Sequence, residues 1–295
     1  MFNTSIKTFL AVVQAQNMSR AAEQLNLAQS TVSIRIKVLE QDIGAILIER
    51  GKGIKGFRLT SAGKKFVPLA ERWLSLMQEI QYIHSDSNRM NLSIGTLDSM
   101  NYAVFPIIYR ALIQHQPQIS LKVVTSHSPD LYNLVDRGQV DVAFTTLQRE
   151  HPNIIVEKWF TDPMVILRTK TPSHIESELI HPHDLDPNQE LYVPWGANCE
   201  IWHDKWWDAW VPGRLRLDTF QLILSFLCTD QQWAIVPLTV ANEALRKGNF
   251  TISRFTEAPP DRICYKIKLK YPKASTVAGL KVLDRYLDLL QQGLL

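Results

Sequence analysis

The chain has 295 residues, 45% of them apolar and 21% charged, a balance that excludes an intrinsically disordered tract and leaves room for two packed cores. No stretch approaches the roughly 18 to 20 consecutive apolar residues of a membrane-spanning helix, and the opening MFNTSIKTFLAVVQAQN lacks the three-part pattern of a secretory leader, so a cytoplasmic protein is expected. The net charge of +3 is unevenly spread: residues 1–84 hold eleven Lys or Arg against six Asp or Glu, and the remainder holds twenty-one against twenty-three. A basic excess confined to the first part of a chain suits polyanion binding, because cations placed at phosphates release counterions.

The spacing of Ile6, Phe9, Leu10, Val12 and Val13 predicts a first helix with one apolar side. After a break at Gln16 and Asn17, Ser19 reads as the N-cap of a short second helix through Leu25. Asn26 and Leu27 turn the chain into a third helix from Gln29 to Glu40, with Val32, Ile36 and Leu39 on its apolar side. Its other side carries Gln29, Ser30, Thr31, Ser33, Arg35 and Lys37, short hydrogen-bonding groups followed by cations, as a helix laid in the major groove requires. Any surface helix has a polar face. What distinguishes this one is the order of elements: short helix, tight turn, then a helix whose N-terminal end is rich in small polar residues is a helix-turn-helix.

Arg50 to Leu59 reads as a glycine-hinged β-hairpin, or wing, whose Arg50, Lys52, Lys55 and Arg58 are candidate contacts to phosphates or the minor groove. Thr60 or Ser61 then caps a long helix to about His84, with apolar Phe66, Leu69, Trp73, Leu76, Met77 and Ile80, and with Pro68 early enough to kink it. Such a stripe on a helix tied to a small domain predicts pairing with a second copy. The polar run 85–89 is read as a hinge.

The rest alternates. Strands are predicted at 91–96, 120–125 and 141–145, with helices at 101–115 and 130–137 between them, which predicts a parallel α/β sheet. Ligands bind such sheets beyond the carboxyl ends of the strands. Those ends hold Asp98, Ser99 and Met100; Ser126, His127 and Ser128; and Thr145 and Thr146. Segments 159–168 and 262–271 read as extended crossings that bracket a second α/β subdomain, with a strand at 190–193, a helix at 219–227, a strand at 233–236 ending at Pro237, and a helix to Lys247; a last helix, 277–290, returns to the first subdomain. Trp195, Gly196, Asn198, Thr219, Phe220 and Pro237 are the candidates facing from that side.

Two residue patterns, taken together, resemble the N-terminal signature of LysR-type transcriptional regulators. One unites Phe9, Ala21-Ala22-Glu23, Leu25, Gln29, Thr31-Val32-Ser33, Ile36, Leu39-Glu40 and Gly44; the other is Leu59-Thr60 with Ala62-Gly63. The chain departs from that pattern at Ala28 and Ser30, where the family has a hydroxyl cap and a proline, and at Leu47-Ile48-Glu49-Arg50, where it has Phe for Ile48. Thr229-Asp230-Gln231-Gln232 also replaces a glycine-rich stretch.

The resemblance implies a winged helix-turn-helix over 1–60, a linker helix and hinge over 61–89, and an effector-binding domain over 90–295. That domain would be similar to periplasmic solute-binding proteins, with one subdomain formed by 90–165 and 262–295 and the other by 166–261. It further implies a homodimer or homotetramer on an A/T-rich interrupted palindrome of double-stranded DNA, a small-molecule effector in the cleft, and RNA polymerase as a further partner.

Cys199, Cys228 and Cys264 are widely separated and form no C-x-x-C, so no disulfide framework and no zinc site is expected. Trp202, Trp206 and Trp210, with Trp207 beside them, read as helix packing, and His181-Pro182-His183-Asp184 has too few further ligands to predict a metal. No cofactor is expected. A transport solute-binding protein would need a leader and no DNA-reading segment. An enzyme would need a nucleophile elbow, phosphate loop or dinucleotide fingerprint, none of which is present, so no catalytic residue is assigned. A nonspecific, chromosome-organising DNA binder stays open as the alternative.

Overall fold

A computed structural model describes residues 2–49, 57–83, 90–171, 179–207 and 215–295. It divides into two compact units, Met1–Ser87 with Arg137–Gln139, and Asn88–Asp136 with Val140–Leu295.

The first unit is helical. It comprises α1 (Phe2–Ala15), α2 (Met18–Gln24), α3 (Gln29–Ile43) and α4 (Ser61–Ile83). Asn17, not Ser19, caps α2: its Oδ1 accepts from the backbone N–H of Ser19 at 2.8 Å and of Arg20 at 3.2 Å. The helix therefore starts earlier than the sequence suggests, because an asparagine carbonyl reaches two orphan donors where the Ser19 hydroxyl reaches none. Ala28 precedes α3 without a side-chain cap, and Gly44 ends it in the left-handed region at φ +73°.

Ile6, Phe9, Val12, Ala21, Val32, Ile36, Leu39, Leu47 and Ala70 form one buried cluster, so α1 to α4 share a core. Glu40 closes the turn after α3, its Oε1 accepting from the N–H of Leu47 at 2.9 Å and of Ile48 at 3.2 Å, all of it buried. Beyond it, Ile48 pairs with Leu59 in an antiparallel bridge and Glu49 N–H donates to the Arg58 carbonyl at 3.0 Å, which sets the base of a hairpin. Thr60 Oγ1 accepts the Gly63 N–H at 2.9 Å and so caps the start of α4. Gly63 has no substitute here: a Cβ would lie 2.1 Å from the Leu47 carbonyl oxygen.

The second unit is built on two larger sheets and a separate two-stranded parallel pair, Leu191–Tyr192 with Leu215–Arg216. Its elements are β1 (Met90–Thr96), α5 (Asp98–Ala103), α6 (Phe105–Gln114), β2 (Ile119–Thr125), α7 (Ser128–Asp136), β3 (Val142–Thr145), β4 (Ile154–Asp162), β5 (Met164–Thr169), β6 (Leu179–Ile180) and β7 (Leu191–Tyr192). They continue with α8 (Ala197–His203), β8 (Leu215–Arg216), α9 (Phe220–Phe226), β9 (Trp233–Pro237), α10 (Leu238–Lys247), β10 (Phe250–Phe255), β11 (Arg262–Leu269) and α11 (Val277–Gln291). The single helix expected over 101–115 is two: Val104 still donates to the Met100 carbonyl at 2.9 Å, but Pro106 has no N–H to continue the ladder and takes an early position in α6, where none is needed.

The first sheet has the order β2-β1-β3-β11-β4, with β2, β1 and β3 parallel and β11 antiparallel to both neighbours, so it is mixed and not purely parallel. The second has the order β6-β10-β5-β9. Pro163 separates β4 from β5 and passes the chain from one sheet to the other. The return is made between β10 and β11, and β11 lies wholly in the first sheet, not across the two as the extended run 262–271 suggests.

Both sheets are covered on two faces, as the alternation of side chains demands. Val142 and Phe144 join the core under α6 and α11, while Ala143 between them joins Leu131, Tyr132 and Val135 of α7. In the second sheet Val165 and Leu167 pack beneath α9 and α10, and Met164 and Ile166 pack against Trp202, Trp207 and Trp233. Trp202 and Trp207 are thus core residues; Trp210 lies outside the described residues. No described helix is long and apolar enough to cross a membrane.

Removing the Glu40 carboxylate leaves two buried N–H donors without an acceptor. Glu40→Ala is expected to destabilise the helical unit by about 2 kcal/mol, and Glu40→Gln, which keeps one oxygen, by less; chemical denaturation of the chain carrying each variant checks the order.

Candidate nucleic-acid interface and ligand site

Burial of Val32, Ile36 and Leu39 fixes which side of α3 faces out. Gln29, Ser30 and Lys37 are exposed, and Thr31 and Ser33 half-buried at the edges of that outer face. Arg35 differs from the expected row. It turns toward α1, with Nη1 3.4 Å from Thr8 Oγ1, because its position lies at the flank of the packed side. Arg58 is exposed at the base of the hairpin, whereas Arg50, Lys52 and Lys55 lie outside the described residues. Ile34, which is not among the contacts expected from the sequence, is 61% exposed at the middle of the outer face. On α4, Leu69, Trp73, Leu76 and Ile80 are also exposed.

In the second unit the parallel register of β2, β1 and β3 brings their carboxyl ends side by side, with Thr96 opposite both Thr125 and Phe144. Asp98 and Ser99, Ser126 and His127, and Thr145 and Thr146 therefore follow from adjacent strands. Ser128 Oγ lies 3.3 Å from Thr146 Oγ1. His127 is exposed, Thr145 is buried, and Met100 is buried in the core beneath α6, away from any ligand-accessible surface.

The other lobe meets this edge through α9 and α10, and β11 of the first sheet brings Arg262 to the same place. Gln221 Nε2 donates to Asp98 Oδ1 at 2.9 Å, the Phe220 ring lies 4.7 Å from that of Tyr102, and Lys247 Nζ sits 4.0 Å over the Tyr102 ring. Thr219 is half-buried at the start of α9. Arg262, buried at the start of β11, donates from Nη2 to Ser99 Oγ at 2.8 Å and lies 5.3 Å over the ring of Trp195, whose indole N–H is held by the Ile235 carbonyl at 2.6 Å. Asn198 is exposed on α8. Asp162, whose oxygens accept from the Thr239 N–H and hydroxyl at 3.1 and 2.6 Å, anchors α10 at the crossover.

Arg262 and Gln221 were not legible as site residues. A cation opening a strand gives no sign of its burial, and a glutamine in the first turn of a helix no sign of its partner, until the lobes are folded together. The electrostatics there are strained: burial lowers the Arg262 pKa and raises those of Asp98 and Asp162. Asp98 Oδ2 and Arg262 Nε have no hydrogen-bond partner among the described residues. The thiols of Cys199 and Cys264 are pushed up to about 12 by burial, so neither offers the thiolate that redox chemistry needs at neutral pH. The described residues contain no group of three metal-capable side chains.

The architecture is thus a helix-turn-helix followed in the chain by a two-lobed α/β unit. Residues 4–64 match the model of the bacterial regulatory helix-turn-helix protein, lysR family, and residues 85–274 match the LysR substrate binding domain. The chain belongs to the LysR family.

Among curated relatives, it is 32% identical over 152 residues to a probable cat1 operon transcriptional activator of Acinetobacter lwoffii, covering 50% of this chain and 48% of that protein. It is 29% identical over 204 residues to the transcriptional regulator YtlI of Bacillus subtilis, covering 67% and 63%. The matches thus span between about half and just under two thirds of those relatives' length.

The fold is that of full-length CbnR, a LysR family transcriptional regulator, with TM-score 0.68 at 21% identity over 97% of this chain and 99% of that one. It is also that of full-length OxyR C199D from Pseudomonas aeruginosa, with TM-score 0.65 at 20% identity over 98% and 95%.

Folding places Asp98 where its charge is disfavoured. That cost is absent below the ordinary carboxylate range and complete above the raised pKa. Asp98→Asn, which keeps an oxygen for Gln221, is expected to melt higher than the parent near pH 7 and to lose the advantage toward about pH 4, as read by thermal melts across pH.

Proposed function

We propose that this chain is a sequence-specific DNA-binding transcriptional regulator whose operator binding responds to a small molecule held between the lobes of its α/β unit. The observation that carries the reading is the outer face of α3: Gln29, Ser30 and Lys37 stand free on a helix whose opposite side is locked into the core beside an Asn17-capped α2. A helix held this way offers its N-terminal residues to base edges, while Lys37 and Arg58 supply charge for phosphates. Arg50, Lys52 and Lys55 are assigned to the same phosphate-contacting role from their place in the sequence.

The exposed Leu69, Trp73, Leu76 and Ile80 of α4 support pairing with a second copy, giving a homodimer or a homotetramer and an A/T-rich interrupted palindrome as the operator. RNA polymerase is the further partner of such a regulator, and the cytoplasm its compartment. Asp98, Ser99, Ser126, His127, Ser128, Thr145 and Thr146 on one side, and Trp195, Asn198, Thr219 and Phe220 on the other, are the proposed effector contacts, with Gln221 and Arg262 added by the geometry just described.

Selection of bound fragments from a genomic library, with random duplex as competitor, tests the reading. Recovery of a few sites against excess competitor is the expected result, and uniform recovery would identify a nonspecific binder. On a recovered site, Lys37→Ala and Arg58→Ala are each expected to weaken binding to all sequences and reduce the salt slope by about 1, whereas Gln29→Ala should relax the choice of sequence.

A further inference from the structure

We infer that Ile34 is a specificity-determining residue, which reads the C5-methyl group of thymine in the major groove. The inference rests on the assignment of α3 as the DNA-reading helix. Ile34 is the central residue of the outer face of α3, roughly opposite Val32 and Ile36, and 61% of its surface is exposed. A single exposed isoleucine is ordinary on a protein surface. Its neighbours make this one informative. One turn before it on the same face stands the small hydroxyl of Ser30, and about one turn after it stands Lys37, both exposed. The first turn of α3 carries no acidic residue.

A face that is small and polar at one end, apolar in the middle and cationic at the other matches what a groove presents: base-edge donors and acceptors, the thymine methyl, and phosphate. The methyl is the apolar group on the major-groove edges, and it distinguishes an A·T pair from every other. Its neighbours are poorer partners for it: Ser30 ends in a hydroxyl and Lys37 in an ammonium, Val32 and Ile36 are fully buried, Thr31 is half-buried at the edge of the face, and Ala28 precedes the helix with a single methyl. Being β-branched and on a helix, Ile34 also holds nearly one rotamer, so little freedom is lost when it is pressed against a base.

The test uses the full chain and duplexes enriched from a randomised library. In the best-enriched duplex each thymine is replaced in turn by deoxyuridine, which deletes only the methyl group, and affinities are measured by fluorescence anisotropy. At one or two thymines per half-site the parent protein should bind about fourfold more weakly, the worth of one apolar carbon removed from water. Ile34→Ala should bind the unmodified duplex more weakly and show no further loss at those positions, and Ile34→Val should restore part of the sensitivity. Ile34 is exposed, so both variants keep the core of α3, which circular dichroism verifies. Enrichment followed by a flat uridine scan, or an equal uridine penalty in Ile34→Ala, would overturn the role of Ile34 alone. Failure to enrich any sequence would overturn the DNA-reading assignment on which it rests.

Discussion

A helix displays one face only if the other is held, and that constraint governs the DNA-reading part of this protein. Val32, Ile36 and Leu39 are wholly buried against α1, α2 and α4, so the rotation of α3 about its own axis is set by packing, and with it the direction of each outer side chain. Glu40 extends the same control into the next segment. By taking the N–H groups of Leu47 and Ile48, its carboxylate ties the end of the helix to the segment that bridges to Leu59. Gly63 lets α4 come against the Leu47 backbone more closely than any side chain would permit. The result is a small unit in which the residues proposed to face the groove and the phosphates are carried on one core, which is what recognition at hydrogen-bond tolerance requires.

The second unit solves a different problem with the same economy. Two sheets are linked through Pro163 and through the passage from β10 to β11, and the groups that meet at the link are polar or charged: Asp98 with Gln221, Ser99 with Arg262, Asp162 with Thr239. Burying such groups is unfavourable unless each is paired, and here the pairing is incomplete, since Asp98 Oδ2 and Arg262 Nε stay unmatched among the described residues. The junction, held by polar contacts and the Tyr102 and Phe220 rings, is where the effector is proposed to bind, because such contacts can be exchanged for a ligand's and those of the cores above and below it, packed with Leu, Val, Ile and Trp, cannot.

The elements were readable in proportion to how local their causes are. Period and capping disclosed α1, α3, α4 and α11, and the alternation of strands and helices disclosed the α/β class, because each depends on neighbours in the chain. Where the reading slipped, two local signals competed: Asn17 against Ser19 for one cap, and a continuous apolar period against Pro106 across α5 and α6. The outer face of α3 was legible as a set but not in its order of importance. Arg35 was counted with the groove-facing residues although it flanks the packed side, and Ile34, opposite Val32 and Ile36, was named on neither face.

The sequence by itself therefore determined the family, the helix-turn-helix and the polar strand ends of the α/β unit, since these follow from spacing, composition and motif within short windows. Only the tertiary structure decided that Ile34 faces out and Met100 in, that β11 joins the first sheet as an antiparallel strand, and that Arg262 and Gln221 meet Ser99 and Asp98. Those outcomes rest on contacts between residues more than a hundred positions apart, or on the packing angle of a whole helix, and no local pattern encodes either.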